Sequence, residues 1–169
     1  MIVFVSGSSK LKVLTSNMKY FLKKYMDKGA SFIVGDCCGG DELAQNYLKE
    51  HNYEDVTVYC STKTPRANRC RYDRFISLWN KAQGKTGEEF YQVKDKAMCE
   101  ACDVALAFWN GTSYGVKCNI ERCISLGKDI EVCMDDFTNT VLPFTDNKNI
   151  HYYFELQPDP ITSMPHHLA

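Results

Sequence analysis

The stretch GASFIVGDCCGGDELAQNYL, residues 29–48, joins a short apolar run to an amphipathic run through a glycine-rich turn. Residues 32–34 are apolar and end at Gly35, as expected for a short buried strand. The run that begins at Asp41 places apolar residues at helical spacing, namely Leu43, Ala44, Tyr47 and Leu48. A strand that leads directly into a helix predicts one unit of an α/β fold.

The same alternation of strand and helix continues along the chain. We expect strands that begin near residues 2, 31, 56, 103 and 129, with helices that end near residues 27, 51, 101 and 126. Strands separated by helices pair in parallel through right-handed crossovers. The sequence therefore predicts a three-layer α/β domain with a mostly parallel sheet of about five strands.

The middle and the end of the chain depart from this alternation. Residues 61–74, STKTPRANRCRYDR, are polar and basic, and a helical pattern follows around 72–82. Residues 150–156 are suited to a last edge strand. We expect one domain over residues 1–156 and an extended or disordered tail over 157–169, where three of the five prolines lie.

The bulk composition is that of an ordinary globular domain. The chain has 169 residues and a net charge of −1, with 44% hydrophobic and 24% charged residues. No apolar run approaches the roughly 20 residues that span a bilayer, so we expect no membrane partner. The opening MIVFV is typical of a strand and not of a secretory signal, which predicts a cytoplasmic protein. Because no broad basic surface is visible, we expect nucleic acid not to be a partner.

Nine cysteines are distributed irregularly along the chain. Without a secretory signal they are best interpreted as reduced thiols that pack in the interior. Cys99 and Cys102 form a CxxC pair, but no second pair or histidine pair stands at zinc-ligand spacing, so we predict no metal. A weaker alternative is a thiol or metal protein built on Cys37, Cys38, Cys99 and Cys102.

Three loops of small and polar residues follow predicted strands, over residues 6–9, 35–41 and 109–115. Parallel sheets bind ligands beyond the carboxyl ends of their strands, where glycine allows close backbone approach and helix N-termini attract anions. We therefore expect these loops to form one ligand site. Neither GxGxxG after the first strand nor GxxxxGK[ST] is present, which argues against dinucleotide and P-loop chemistry.

Two of these loops resemble motifs of a known superfamily. GDCCGGDELA at residues 35–44 is similar to the GGxxGxDxLA turn of the SLOG superfamily, a Rossmann-like fold that includes LOG phosphoribohydrolases and DNA-processing protein A. DVALAFWNGTSYGV at 103–116 resembles that group's DxxxAFWDGxSxGT, and LGKDIEV at 126–132 its LGKxIxV. The opening strand followed by Ser-Gly-Ser is a third, more generic match, and together the matches cover residues 1–134.

The resemblance implies a protein that binds a nucleotide or a nucleotide-derived signalling ligand, such as an ADP-ribose derivative, as a sensor or a sequestering protein. It also implies a homo-oligomer, and it implies no separate cofactor. The LOG glutamate of PGGxGTxxE falls here on Asn119, which cannot act as a general base. The alternative is a nucleotide N-glycosidase or phosphoribohydrolase that uses Asp36, Asp41 or Glu42 as its carboxylate.

The expected ligand-binding residues come from the three loops and from the basic segment. They are Ser6, Gly7, Ser8, Gly35, Asp36, Gly39, Gly40, Asp41, Arg69, Arg71, Trp109, Gly111, Ser113, Gly115 and Asn119. The carboxylates of the 35–41 loop suit ribose or base and not phosphate, whereas Asp41 is equally suited to the first turn of a helix.

Three of these features have alternative interpretations. Ser113 either caps the following helix or holds a phosphate, and Trp109 either stacks on a base or closes the core. The basic segment 63–74 is either a solvated loop or an arginine lid over phosphates.

Overall fold

A computed structural model describes residues 1–70, 73–135 and 142–155 of the chain, and seven strands alternate with five helices there. The strands are β1 (Ile2–Gly7), β2 (Ser31–Val34), β3 (Val56–Cys60), β4 (Phe75–Ser77), β5 (Val104–Trp109), β6 (Asp129–Met134) and β7 (Ile150–Tyr153). The helices are α1 (Ser16–Asp27), α2 (Gly40–Glu50), α3 (Trp79–Ala82), α4 (Gly87–Ala101) and α5 (Tyr114–Ser125).

All seven strands form one parallel sheet in the order β4-β3-β2-β1-β5-β6-β7. The predicted α/β fold with a parallel sheet is therefore confirmed. The sheet has seven strands instead of about five because β4 and β7 extend it at its two edges. The edge strand expected over residues 150–156 is β7.

The core lies on both faces of the sheet because successive strand residues point to opposite sides. In β1, Val3 and Val5 pack on one face, and Phe4 packs on the other. The first face is covered by α1 and α2, which contribute Met18, Phe21, Leu22, Tyr25, Ala44 and Leu48. The second face is covered by α4 and α5, which contribute Met98, Cys99, Val116, Ile120 and Cys123. The domain is thus three layers thick, as predicted.

The helix predicted around residues 72–82 is wrong. Residues 75–77 instead form β4, which pairs with β3 in the register Tyr59↔Ile76, and only the short α3 follows. The amide of Leu78 donates to the carbonyl of Cys60 at 2.8 Å, which extends this pairing. The open edge of β3 offers backbone hydrogen-bond partners that a local helical pattern does not reveal. The tail predicted over residues 157–169 lies outside the described residues.

The order of the strands fixes where a ligand can bind. The chain runs outward from β1 through β2, β3 and β4, and then crosses to the opposite side of β1 to form β5, β6 and β7. The loops after β1 and β5 therefore leave the sheet toward opposite faces, and a crevice opens between them at the carboxyl edge.

Candidate functional site at the carboxyl edge of the sheet

The loops after β1 and β2 touch each other through glycine backbones. A Cβ atom added to Gly40 would lie 2.4 Å from the Cα of Gly7, and one added to Gly39 would lie 2.3 Å from the carbonyl oxygen of Ser9. Gly39 also has a φ of 79°, which disfavours other residues. The amide of Gly40 donates to the carbonyl of Ser8 at 2.9 Å. These glycines allow two loops to pack together.

Ser8 joins the β1 loop to the β5 loop. Its amide donates to the carbonyl of Phe108 at 2.9 Å, and its hydroxyl donates to the same oxygen at 3.2 Å. The hydroxyl oxygen in turn accepts from the amide of Asn110 at 3.3 Å. The side chain of Asn110 accepts from the amides of Thr112 and Ser113, at 3.0 and 2.7 Å, which shapes the turn into α5. Three separate loops are therefore held as one rim.

A cavity of about 340 Å³ opens at this rim, between the loops and the side of α4. We call it the inner cavity. Six of the predicted ligand residues line it, namely Ser6, Gly7, Asp41, Ser113, Gly115 and Asn119. Four lining residues that were not among the predicted site residues are Arg66, Tyr91, Lys94 and Asp95. The inner cavity thus combines the predicted loops with one wall that sequence reasoning missed.

A second cavity of about 320 Å³, the outer cavity, adjoins the first. Both cavities are bounded by Ser9, Ser113 and Gly115. The outer cavity is also lined by Ser8, Lys10, Glu88, Asn110, Thr112 and Tyr114. Since they share these residues, the two cavities adjoin at the carboxyl edge, and we call them together the groove.

Asp41 is buried in the wall of the inner cavity, with an exposed fraction of 6%. Its two oxygens accept from the amides of Gly7 and Cys37, each at 3.3 Å. Burial raises the pKa of Asp41 to about 6, despite the opposing charge of Lys94. Gly35 has no room for a side chain, because an added Cβ would lie 2.3 Å from an oxygen of Asp41. Asp41 is consequently both a structural acceptor and a titratable group.

Lys94 and Asp95 form an ion pair on the α4 wall of the inner cavity. The ammonium of Lys94 donates to Oδ1 of Asp95 at 2.7 Å, and the side chains are only 7% and 13% exposed. Burial disfavours the ammonium, but the charges of Asp95 and Asp41 outweigh it and raise the pKa of Lys94. The cavity therefore contains a cation that remains charged at neutral pH beside two carboxylates.

Asp36 forms an ion pair with Arg66 and does not line the inner cavity. Its oxygens accept from the Nη2, the Nε and the backbone amide of Arg66 at 2.8, 3.1 and 3.0 Å. Burial opposes ionisation of Asp36, but these hydrogen bonds and the arginine charge lower its pKa. The guanidinium of Arg66 then lies 4.5 Å from the centre of the Tyr91 ring. Asp36 thus positions Arg66 over an aromatic ring at the cavity mouth.

An aromatic strip continues outward from Tyr91. The ring centres of Tyr91 and Phe90 lie 5.1 Å apart, and those of Phe90 and Trp79 lie 6.3 Å apart. Lys63 places its ammonium 5.5 Å from the centre of the Trp79 ring. The strip therefore carries a cation at each end, with Tyr91 itself 41% exposed.

Three further predicted residues, Arg69, Trp109 and Gly111, do not line either cavity. Arg69 donates to Glu42 and, through its amide, to Gln45, so it braces the basic segment against α2. Trp109 is 2% exposed and donates to the carbonyl of Ser113, which leaves it in the core and not available to stack. Gly111 adopts a left-handed turn with a φ of 80°. Arg71 lies outside the described residues.

Sequence reasoning missed the α4 wall although its signal was present. Tyr91, Lys94, Asp95 and Met98 follow helical spacing and therefore share one face of α4. Charged residues at positions 94 and 95, on the same helix face as the apolar Met98, are the sequence signal of a ligand site.

All nine cysteines are free thiols. Burial raises the pKa of Cys37 to about 11, which makes it a poor nucleophile at neutral pH. Cys99, Cys102 and Cys123 are buried behind the inner cavity between α4, α5 and the sheet. No group of metal-ligating side chains is found within residues 1–70, 73–135 and 142–155.

Comparisons with known proteins give a structural neighbour, a protein that binds single-stranded DNA. No protein-family model and no curated protein matches the chain. A structure of DNA processing protein A from Helicobacter pylori, described by its single-stranded DNA binding mode, matches with a TM-score of 0.63 at 13% identity. The match covers 83% of this chain and 68% of that chain. The likeness shows that the two proteins share a Rossmann-like fold.

This match contradicts two expectations from the sequence. The prediction of a sensor or sequestering protein for a nucleotide ligand is wrong, and so is the expectation that nucleic acid is not a partner, because the structural neighbour binds single-stranded DNA. The glycosidase and thiol alternatives receive no support from it, and the homo-oligomer stays a prediction. Among the described residues, no helix has the length and apolarity needed to cross a membrane.

Proposed function

We propose that this chain binds single-stranded nucleic acid along the groove formed by the inner and outer cavities. The observation that carries the proposal is that two cavities adjoin at the carboxyl edge and share Ser9, Ser113 and Gly115. A single cleft is enough for one small ligand, whereas a strand needs adjoining places for successive nucleotides. The structural neighbour that binds single-stranded DNA supports the same class of partner.

Exposed aromatic rings at both ends of the groove support this function. Tyr91 borders the inner cavity and is 41% exposed, and Tyr114 borders the outer cavity and is 57% exposed. Every base has a face that stacks on an aromatic ring, so such rings bind single strands without requiring one sequence. Paired bases in a duplex do not offer these faces.

The distribution of charge supports an orientation with phosphates outside and a base inside. Lys10 and Glu88 line the outer cavity, and Lys63 and Arg66 lie on the aromatic strip beside the groove. Four charged residues line the inner cavity: Asp41 and Asp95 oppose Lys94, and the charge of Arg66 is already paired with Asp36. A phosphate inside would face this excess of carboxylate, whereas a neutral base would not. The rim cations are placed to neutralise phosphates instead.

Membership of the SLOG superfamily is part of this proposal. The match to the fold of DNA processing protein A supports it, together with the turns at residues 35–44 and 103–116. On this basis the predicted residues Ser6, Ser113 and Asn119 contact the bound strand from the floor of the groove, and Gly115 lets its backbone approach.

Fluorescence anisotropy with a labelled 12-nucleotide thymidine strand tests the proposal. We expect the strand to bind at least tenfold more tightly than thymidine monophosphate, which competes for one cavity only. Tyr91→Ala and Tyr114→Ala should each weaken binding about tenfold, because a stacked base contributes about 1–3 kcal/mol. Tyr20→Ala is the matched control, since Tyr20 is 63% exposed but lies on α1 away from the groove.

The proposal is overturned if the strand binds no better than the mononucleotide. It is also overturned if Tyr91→Ala and Tyr20→Ala bind the strand with equal affinity. A titration from 50 to 200 mM salt adds an independent readout, because affinity carried by rim cations falls as salt rises.

A further inference from the structure

Two adjacent residues of α4 have no role in binding a nucleic-acid backbone. Lys94 and Asp95 are both buried, and both line the inner cavity with charged side chains. A buried ion pair opposes folding through its desolvation, so its presence in a cavity wall calls for a functional explanation. Since the surrounding carboxylates attract the ammonium of Lys94, it is a poor anchor for a phosphate.

The pair presents a fixed pattern of hydrogen-bonding groups. An ammonium only donates, and an ionised carboxylate only accepts. Oδ1 of Asp95 accepts from Lys94, and its second oxygen makes no hydrogen bond within the described part of the chain. Phe4, Met98 and Val116 give the same cavity an apolar lining. A flat ring whose edge carries donors beside an acceptor matches this combination.

On the premise that the proposed function holds, we propose that the inner cavity selects a guanine of the bound strand. Asp95 accepts from the N1–H and N2–H groups of the base, and Lys94 donates to O6. Guanine is the base that offers two neighbouring donors to one carboxylate and an acceptor beside them. Thymine would instead turn a carbonyl oxygen toward Asp95, and adenine and cytosine supply only part of the pattern.

The position of the pair makes such selection possible. Both residues lie within the 15-residue helix α4, three and four positions after Tyr91, so all three share one helix face. A base that enters the cavity is covered by Tyr91 at the mouth and meets Lys94 and Asp95 at the inner wall. Sites built on a helix hold their geometry more closely than sites built on loops.

Binding of four 12-nucleotide strands tests this inference. Each strand is thymidine except for one central position, which is guanine, adenine, cytosine or thymine. We expect the guanine strand to bind at least about tenfold more tightly than the all-thymidine strand, because one bidentate contact to a base usually contributes a preference of this size. Asp95→Asn should reduce this ratio to less than threefold. Glu89→Gln, which removes an exposed carboxylate from the same helix, should leave the ratio unchanged.

A strand with inosine at the central position tests the contact without any substitution in the protein. Inosine keeps O6 and N1–H but lacks the amino group, so its affinity should fall between those of guanine and thymine. Four equally tight strands overturn the inference and leave the proposed function intact. A guanine preference that persists in Asp95→Asn also overturns it, and failure of every strand to bind overturns the proposed function itself.

Discussion

The two walls of the inner cavity are built from different interactions. The turn wall consists of Gly7 and Asp41, which line the cavity, and of Gly39 and Gly40, which pack behind them; it is backbone packed against backbone, with one carboxylate bonded to amides. The α4 wall, formed by Tyr91, Lys94 and Asp95, is made of side chains that meet one another and Arg66. The turn wall is consequently sensitive to any added atom, whereas the α4 wall depends on contacts between side chains.

The largest expected effect comes from adding one methyl group to the turn wall. Gly40→Ala should lower the free energy of unfolding by about 3 kcal/mol or more, at the upper end of overpacking effects. The new Cβ would lie 2.4 Å from the Cα and 2.8 Å from the carbonyl carbon of Gly7, and neither backbone atom can move aside freely. Urea denaturation measures the change.

Gly115→Ala is the control for that substitution. Gly115 also lies in the first turn of a helix, but no atom is within 4 Å of its added Cβ. Alanine should therefore leave the free energy of unfolding unchanged or raise it by up to about 1 kcal/mol through helix propensity. Equal stability of the two alanine variants would show that the two loops are not in backbone contact.

The difference between the walls explains what the sequence could predict. The 35–41 loop of the turn wall could be predicted from local sequence, because the residues GDCCGG indicate a tight turn between a strand and a helix. Its glycines were expected to approach a ligand, but the structure shows Gly39 and Gly40 against the β1 loop. The glycines predicted that another group lies close to the backbone, but they did not indicate whether that group is a ligand or another loop.

The contacts between the α4 wall and the basic segment join residues that are distant in sequence, and prediction was poorer there. Arg66 meets Asp36 across 30 positions, and nothing in the basic segment distinguishes Arg66 from Arg69. Arg69 was expected to bind a ligand, but it pairs with Glu42. The parallel order of β1 to β3 followed from alternation alone, whereas β4 required an open sheet edge that only the assembled fold supplies.

A second, smaller effect concerns the charge of the turn wall. A pKa raised from its ordinary 3.8 to about 6 means that the folded protein holds a proton on Asp41 that the unfolded chain has lost. This contribution to stability is complete below pH 4 and is lost as pH rises through 6. It corresponds to about 3 kcal/mol at most.

Asp41→Asn should remove this pH dependence. The free energy of unfolding of the wild-type protein, relative to the variant, should fall by up to about 3 kcal/mol between pH 4 and pH 7. Urea denaturation at several pH values measures the difference in the free energy of unfolding. Carboxylates such as Asp36, whose pKa is lowered, contribute equally to both proteins, so their contribution cancels. Parallel curves for the two proteins would show that Asp41 titrates normally and is accessible to water.

The smallest expected changes in stability distinguish two ion pairs of the basic segment, Arg66–Asp36 and Arg69–Glu42. Asp36→Ala should cost about 2 kcal/mol, because a carboxylate that is 1% exposed loses charge-assisted hydrogen bonds to Arg66. Glu42→Ala should cost less than about 1 kcal/mol, since Arg69 is 52% exposed and its ion pair is screened by water. Both values come from urea denaturation at pH 7. If Glu42→Ala proved as costly as Asp36→Ala, the basic segment would be fixed by both arginines, and Arg66 alone would not hold the segment against Tyr91.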